Sequence, residues 1–173
     1  MLEFLQANAQ EIGLLAATMM VLKYQFSTGR AIKLCTMFSA CIFTFHYIGL
    51  GQASAAVLCV IAVIRSGVLS TKWGMEYKKW VAAAIVAASV FAGVFFWQGW
   101  LSILPVLGVL IYTLAEAQEC DKRLRYIAFL PASAWLIFNI ITGSYGGVIA
   151  NLSAISSNLL GLYRHHFRKV KKT

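Results

Sequence analysis

The polar residues with the most telling spacing lie near the C-terminal end of the chain. Gly147, Asn151, Ala154, Asn158 and Gly161 recur at intervals of four, three, four and three, which sets them on one face of an α-helix. Val148, Leu152, Ile155, Leu159 and Leu162 form the adjoining apolar stripe. A face of small residues and amides belongs inside a helix bundle. Each amide both donates and accepts hydrogen bonds, so Asn151 and Asn158 could bind the hydroxyls of a small polar solute. They could equally clamp neighbouring helices, where such bonds average about 0.6 kcal/mol. Trp135 and Asn139, at i and i+4, share a face in the same way. An aromatic plate beside an amide could hold a sugar or a heterocyclic ring, or the indole could sit at a membrane interface.

The remaining reactive types are scattered. His46 stands alone at the end of an apolar run, where it could relay a proton. Arg65 lies inside another run, about two turns from its end, and could snorkel to the surface. An anion contact or a bond to a bundle carbonyl is the alternative, since intramembrane charges are functional hypotheses by default. The stretch EAQECDKR carries Glu116, Glu119 and Asp121 beside three basic residues. It reads as a solvated loop, except that Glu116 falls within the last turn of an apolar segment. His165 and His166 are adjacent, so on a helix they diverge and make a poor metal pair. The four cysteines, Cys35, Cys41, Cys59 and Cys120, include no C-x2-C pair and read as small hydrophobes. No phosphate loop, zinc motif or nucleophile elbow is present. We expect no enzyme activity, no metal and no cofactor.

These residues must be carried by membrane helices. Of 173 residues, 60% are hydrophobic and 12% charged, against about 45–50% and about 25% in soluble domains. A helix crosses a bilayer with about 20 apolar residues, with about 17–25 tolerated. The runs that qualify are 10–26, 32–50, 53–71, 80–97, 101–118, 124–142 and 145–164, which predicts an all-α polytopic membrane protein with seven transmembrane helices. All 15 Lys and Arg residues fall in four groups, after the first, third, fifth and seventh runs. The positive-inside rule then puts the N-terminus outside and the C-terminus in the cytoplasm. The net charge of +9 is explained by that rule, so no nucleic acid is expected as a partner. The tail, 166–173, is basic enough to meet anionic lipid headgroups.

The chain also repeats itself. A shift of 93 positions aligns Gln25 with Gln118, Arg30 with Arg123, Phe45 with Phe138 and Ile48 with Ile141, with a one-residue uncertainty around the second turn. The same shift matches His46 with Asn139. Two parallel triple-helix units result, 10–72 and 101–165, joined by the uncharged linker helix 80–97. Parallel repeats are a transporter signature, with the solute site at the repeat interface. The polar interior is lopsided: Asn151 and Asn158 face Leu58 and Arg65 in the first unit.

The stretches KYQFSTGRAIKL and FTFHYIGLGQASAAVLCVIAVIRSGVLS, and the echo FNIITGSYGGVIANLSAISSNLL, resemble the YgjV-type family of bacterial inner-membrane proteins over nearly the whole chain. The 3+1+3 plan resembles the SWEET and PQ-loop carriers of sugars and small solutes. That resemblance implies alternating-access transport, with Asn151 matching an asparagine that lines their solute pocket. It also implies that Gln25 and Gln118 stand at a cytoplasmic gate or hinge, although the prolines of the Pro-Gln pairs are replaced here by Tyr24 and Ala117. Pro105 and Pro131 occur only in the second unit. The expected function is a carrier of a small polar solute, and a homo-oligomer is possible. The alternatives are a non-transporting scaffold or regulatory protein and a vitamin-precursor carrier of the nicotinamide-riboside type.

Overall fold

The computed structural model describes residues 1–167, and among them every regular element is a helix. The seven apolar runs become α2 (Ala9–Lys23), α3 (Gly29–Gly49), α4 (Ala53–Leu69), α6 (Lys78–Phe95), α7 (Ile103–Glu116), the pair α8 (Asp121–Ile127) and α9 (Phe129–Ile141), and α10 (Tyr145–Leu162). Two short helices fall outside those runs, α1 (Leu2–Ala7) and α5 (Lys72–Glu76). From residue 168 on, the basic tail expected over 166–173 lies outside the described residues.

Local chemistry sets the boundaries. Thr28 caps α3 by accepting from the Ala31 N–H, and Thr71 caps α5 by accepting from Gly74. The sixth run is divided at Ala128 because Pro131 has no N–H to offer the Ile127 carbonyl. Pro105 lies in the first turn of α7, where a missing N–H costs nothing.

Among the described residues, three helical stretches are long and apolar enough to cross a membrane: Gly29–Gly49, Lys78–Phe95 and Asp121–Ile141. Ala53–Leu69 and Trp100–Glu116 are shorter apolar helices.

The helices alternate in direction. One end of the bundle, here termed the basic end, gathers Lys78 against Glu119, Asp121 against the Gly29 N–H, and Arg125 against the Tyr24 carbonyl. The opposite end gathers His46 with Ala9 and Ser144, and Gln98 with Gly51 and Ser54. Around the bundle α2 packs on α3, α3 on α4, α4 on α7, α7 on α9, α9 on α10, and α10 back on α2, which closes a ring of six. α6, uncharged beyond Lys78 and Lys79, stays outside the ring, against α4 and α7. Alanines with no exposed surface, among them Ala16, Ala55, Ala115, Ala150 and Ala154, let the backbones approach closely.

The turns after α3 and α9 are built alike. Gln52 N–H donates to the Tyr47 carbonyl and Gly51 N–H to that of Ile48; Ser144 N–H donates to Asn139 and Gly143 N–H to Ile140. Both are Schellman motifs with a glycine at positive φ, +70° at Gly51 and +67° at Gly143. These turns pair Tyr47, not His46, with Asn139. The one-residue correction arises because the motif counts back from the left-handed glycine, and the two glycines are 92 positions apart.

Candidate functional site

A cavity of about 60 Å³ lies inside the ring, and all six ring helices contribute to its wall. A water needs about 10–15 Å³ of such space, so the cavity has room for roughly four to six waters. Its apolar wall is aromatic. Phe43 stacks on Tyr47 at 5.8 Å between centroids, and Tyr47 on Trp135 at 5.6 Å. Trp135 fits because Gly108 has no side chain: a Cβ there would stand 2.5 Å from the indole nitrogen. The same indole packs against all three apolar clusters of the core.

Asn151 and Trp135 line the cavity together. Asn151 donates to the Gly147 carbonyl one turn back, at 2.9 Å, which leaves its side-chain oxygen free to accept. The other two amides are absent from the lining. Asn139 accepts from the Tyr47 hydroxyl at 2.8 Å, and its nitrogen has no partner among the described residues. Through Tyr47 it supports the aromatic wall. Asn158 donates to the Arg125 carbonyl at 2.7 Å and thus clamps α10 to α8. The shared face read from spacing is real, for all five of its residues are buried, but only part of it reaches the cavity.

The two glutamines have unlike surroundings. Gln25 donates to Ser157 at 2.8 Å and accepts from Arg164 at 2.8 Å, tying the end of α2 to α10. Ser157 in turn donates to the Val21 carbonyl at 2.6 Å. Gln118, just past the end of α7, donates back to the Leu114 carbonyl and is half-buried. It borders two grooves on the basic end, one of which includes Lys78, Lys79 and Arg123.

His46 is a structural joint. A carbonyl can only accept, so Nδ1 carries the proton it donates to Ala9 O, and Nε2 accepts from Ser144 at 2.7 Å. Ser144 Oγ also accepts the Gly147 N–H and caps α10. Both ring nitrogens are thereby committed.

Arg65 does not snorkel. It is 1% exposed and bonded to the 2%-exposed Glu116, Nε to Oε2 at 2.9 Å. Its Nη1 donates to the Val109 carbonyl at 3.3 Å, and Ser66 donates its hydroxyl to Glu116 at 2.8–2.9 Å. The guanidinium lies over the Tyr112 ring, 5.5 Å from its centroid. Arg65 is held inward because its partner sits at the end of α7 rather than in water. Lys23 is also fully buried. Its ammonium donates to the Tyr112 hydroxyl at 3.3 Å and lies 4.7 and 5.0 Å from the ring centroids of Tyr24 and Tyr112. Tyr24 and Tyr112 hydroxyls meet at 3.4 Å.

Sequence reasoning marked Arg65 and Glu116 separately and missed their pairing. It counted Lys23 only in the first group of basic residues, missing its burial, and did not mark Tyr112. One signal was present: the 93-residue shift places Lys23 opposite Glu116, two charges in the last turns of equivalent helices.

In the loop between α7 and α8, the ammonium of Lys78 beside Glu119 holds that carboxyl below its usual range. Cys120 is likewise pulled down, by the backbone N–H groups of Arg123 and Lys122 at the start of α8.

This is an all-helical membrane protein with a small, mostly apolar cavity, partly walled by aromatic rings, at its centre. The family model Imp-YgjV, bacterial inner membrane protein, matches residues 7–169. The chain belongs to that family, and so to the bacterial inner membrane. No curated protein and no solved structure matches it.

Proposed function

We propose that the protein carries a small polar solute across the inner membrane by alternating access. All seven apolar helical stretches cross, the N-terminus lies outside, and the C-terminus with the basic end lies in the cytoplasm. The observation that carries this reading is the cavity: it is central, it is walled by both three-helix groups, and it joins Asn151 to Trp135. The one-sided basic residues support the orientation. No group in the cavity pairs a nucleophile with a base, which favours carriage over catalysis. Anionic headgroups would meet the groove of Lys78, Lys79 and Arg123, and copies of the chain could associate through the lipid-facing surface.

The reading is tested by uptake into proteoliposomes over sugars, amino acids, organic acids and vitamin precursors. At least one class should accumulate, and Asn151→Ala should depress that uptake without unfolding the protein. Unchanged uptake in the variant would remove Asn151 from the path. A second reading, a non-transporting scaffold, draws on how many interior polar groups are already committed to one another. It requires that no class accumulate.

A further inference from the structure

The interior of the basic end holds more positive charge than negative. Lys23, Lys33, Arg65 and Arg125 are each at most 4% exposed, while Glu116 is the one buried carboxylate among the described residues. Two of the excess cations are held by carbonyls: Lys33 donates to Leu69 O at 3.1 Å, and Arg125 to Tyr24 O and Phe26 O, its Nε having no partner among the described residues. Arg65 is neutralised by Glu116. Lys23 has no carboxylate within ion-pair distance, since the ion pairs among the described residues are Arg65–Glu116 and Lys78–Glu119. Its neighbours are one phenol oxygen and two ring faces. A buried charge left without a counter-charge is strongly destabilising.

That ammonium stands directly behind the cavity wall. Tyr112 lines the cavity and carries Lys23 on its hydroxyl; Arg65 lines it too. Of the five guanidinium N–H donors, four bonds are formed to Glu116, Val109 and Ser66, so one remains. The rest of the wall is largely apolar, with Phe43, Trp135, Val109 and Met20; the Thr36, Ser39 and Tyr47 hydroxyls in it donate to Ile32 O, Ala16 O and Asn139, and the Asn151 oxygen is free as an acceptor.

We propose that the cavity binds a small organic anion. Its carboxylate takes the Arg65–Tyr112 side and supplies the counter-charge that Lys23 lacks. Its apolar body lies on Phe43 and Trp135, and a hydroxyl donates to Asn151. The cavity volume limits it to a few carbon atoms. This rests on the cavity being a solute path and names the class of solute.

The test uses the purified full chain, with lactate and ethanesulfonate as anionic probes, lactamide and glycerol as neutral ones, and chloride as an inorganic one. Binding is followed by calorimetry in detergent and by counterflow in proteoliposomes. Ethanesulfonate stays ionised and does not leak through lipid as a neutral acid. Lactate and ethanesulfonate should bind roughly 10- to 100-fold more tightly than lactamide, the range expected for a bond to a charged group. Lys23→Met should weaken anion binding by roughly tenfold or more while raising the melting temperature, and Lys23→Arg should retain binding. Lactamide or glycerol binding as well as lactate overturns the anion assignment but leaves the solute path standing. Chloride binding in place of the organic anions overturns the organic part. A folded protein that binds no probe overturns the inference, and the broader uptake panel then decides whether a solute path exists. A Lys23→Met protein that is less stable yet binds lactate normally removes Lys23 from the site.

Discussion

Two seams join the three-helix groups, and they occupy equivalent places in the repeat. In each, the third helix of one group meets the first helix of the other: α10 on α2, and α4 on α7. The α2–α10 seam is closed by backbone approach and neutral bonds. A Cβ built on Gly146 would stand 2.7 Å from the Gly13 Cα, so the two helices all but touch at that end. At the basic end Gln25, Ser157 and the Val21 carbonyl continue the seam. The α4–α7 seam is held by the Arg65–Glu116 ion pair with Ser66, and α6 braces it from outside through Ile85 and Ala92 against Leu58, Ile61 and Val109. One seam therefore rests on shape, and the other on charge.

The largest effect should come from breaking the charged seam on one side. Glu116→Ala leaves Arg65 buried without its partner and should cost about 3–5 kcal/mol, read as a lowered melting temperature in detergent. Replacing both partners, with Arg65→Met and Glu116→Leu, should recover most of that loss. Should the single and double variants prove equally unstable, the pair is not what holds the seam.

Crowding the other seam comes next. Gly146→Ala forces α10 away from α2 and should cost about 1–3 kcal/mol, as overpacked cores do. Gly67→Ala on α4 is the control, because its Cβ would meet the flexible Met37 side chain, at 3.1 Å from the sulfur, rather than backbone. The comparison of seams fails if the control is as damaging as Gly146→Ala.

Smaller still is Asn158→Ala, which removes one neutral clamp between α10 and α8. Side-chain bonds of this kind in membrane proteins average about 0.6 kcal/mol, and an unfolding titration should show a loss of that order. A loss as large as that for Glu116→Ala would mean that neutral bonds hold as much as charge does.

The smallest effect lies at the surface. Glu119 titrates below its ordinary range because Lys78 is beside it. Whatever stability this pair contributes is present above the unfolded carboxylate value and is lost as pH falls through the lower folded value. Lys78→Ala should return the Glu119 titration, followed by NMR, to its usual position with little change in melting temperature. If the Glu119 titration stays low without Lys78, another group holds it there.

Much of this was readable before folding. Seven apolar runs of the right length, one-sided basic residues and a 93-residue shift predict the helices to within a few residues, because lipid demands continuous apolar helix and each run signals itself locally. The amide face of α10 was legible for the same reason, as a pattern on one helix. Which amide reached the cavity was not. Asn151 and Asn158 share a face, yet one meets the cavity and the other the Arg125 carbonyl. That depends on what stands opposite each, and nothing in α10 encodes it.

The chain by itself determined helical content, helix order, the side that collects positive charge and the lopsided distribution of polar groups. All of these follow from local composition and periodicity. The tertiary structure decided which charges meet. Arg65 and Glu116, 51 positions apart, become partners only because α4 and α7 close the ring. Lys23 becomes buried without a carboxylate because the ring places two tyrosines over it. Pairing and burial are properties of the space between helices, and that space exists only once the ring has closed.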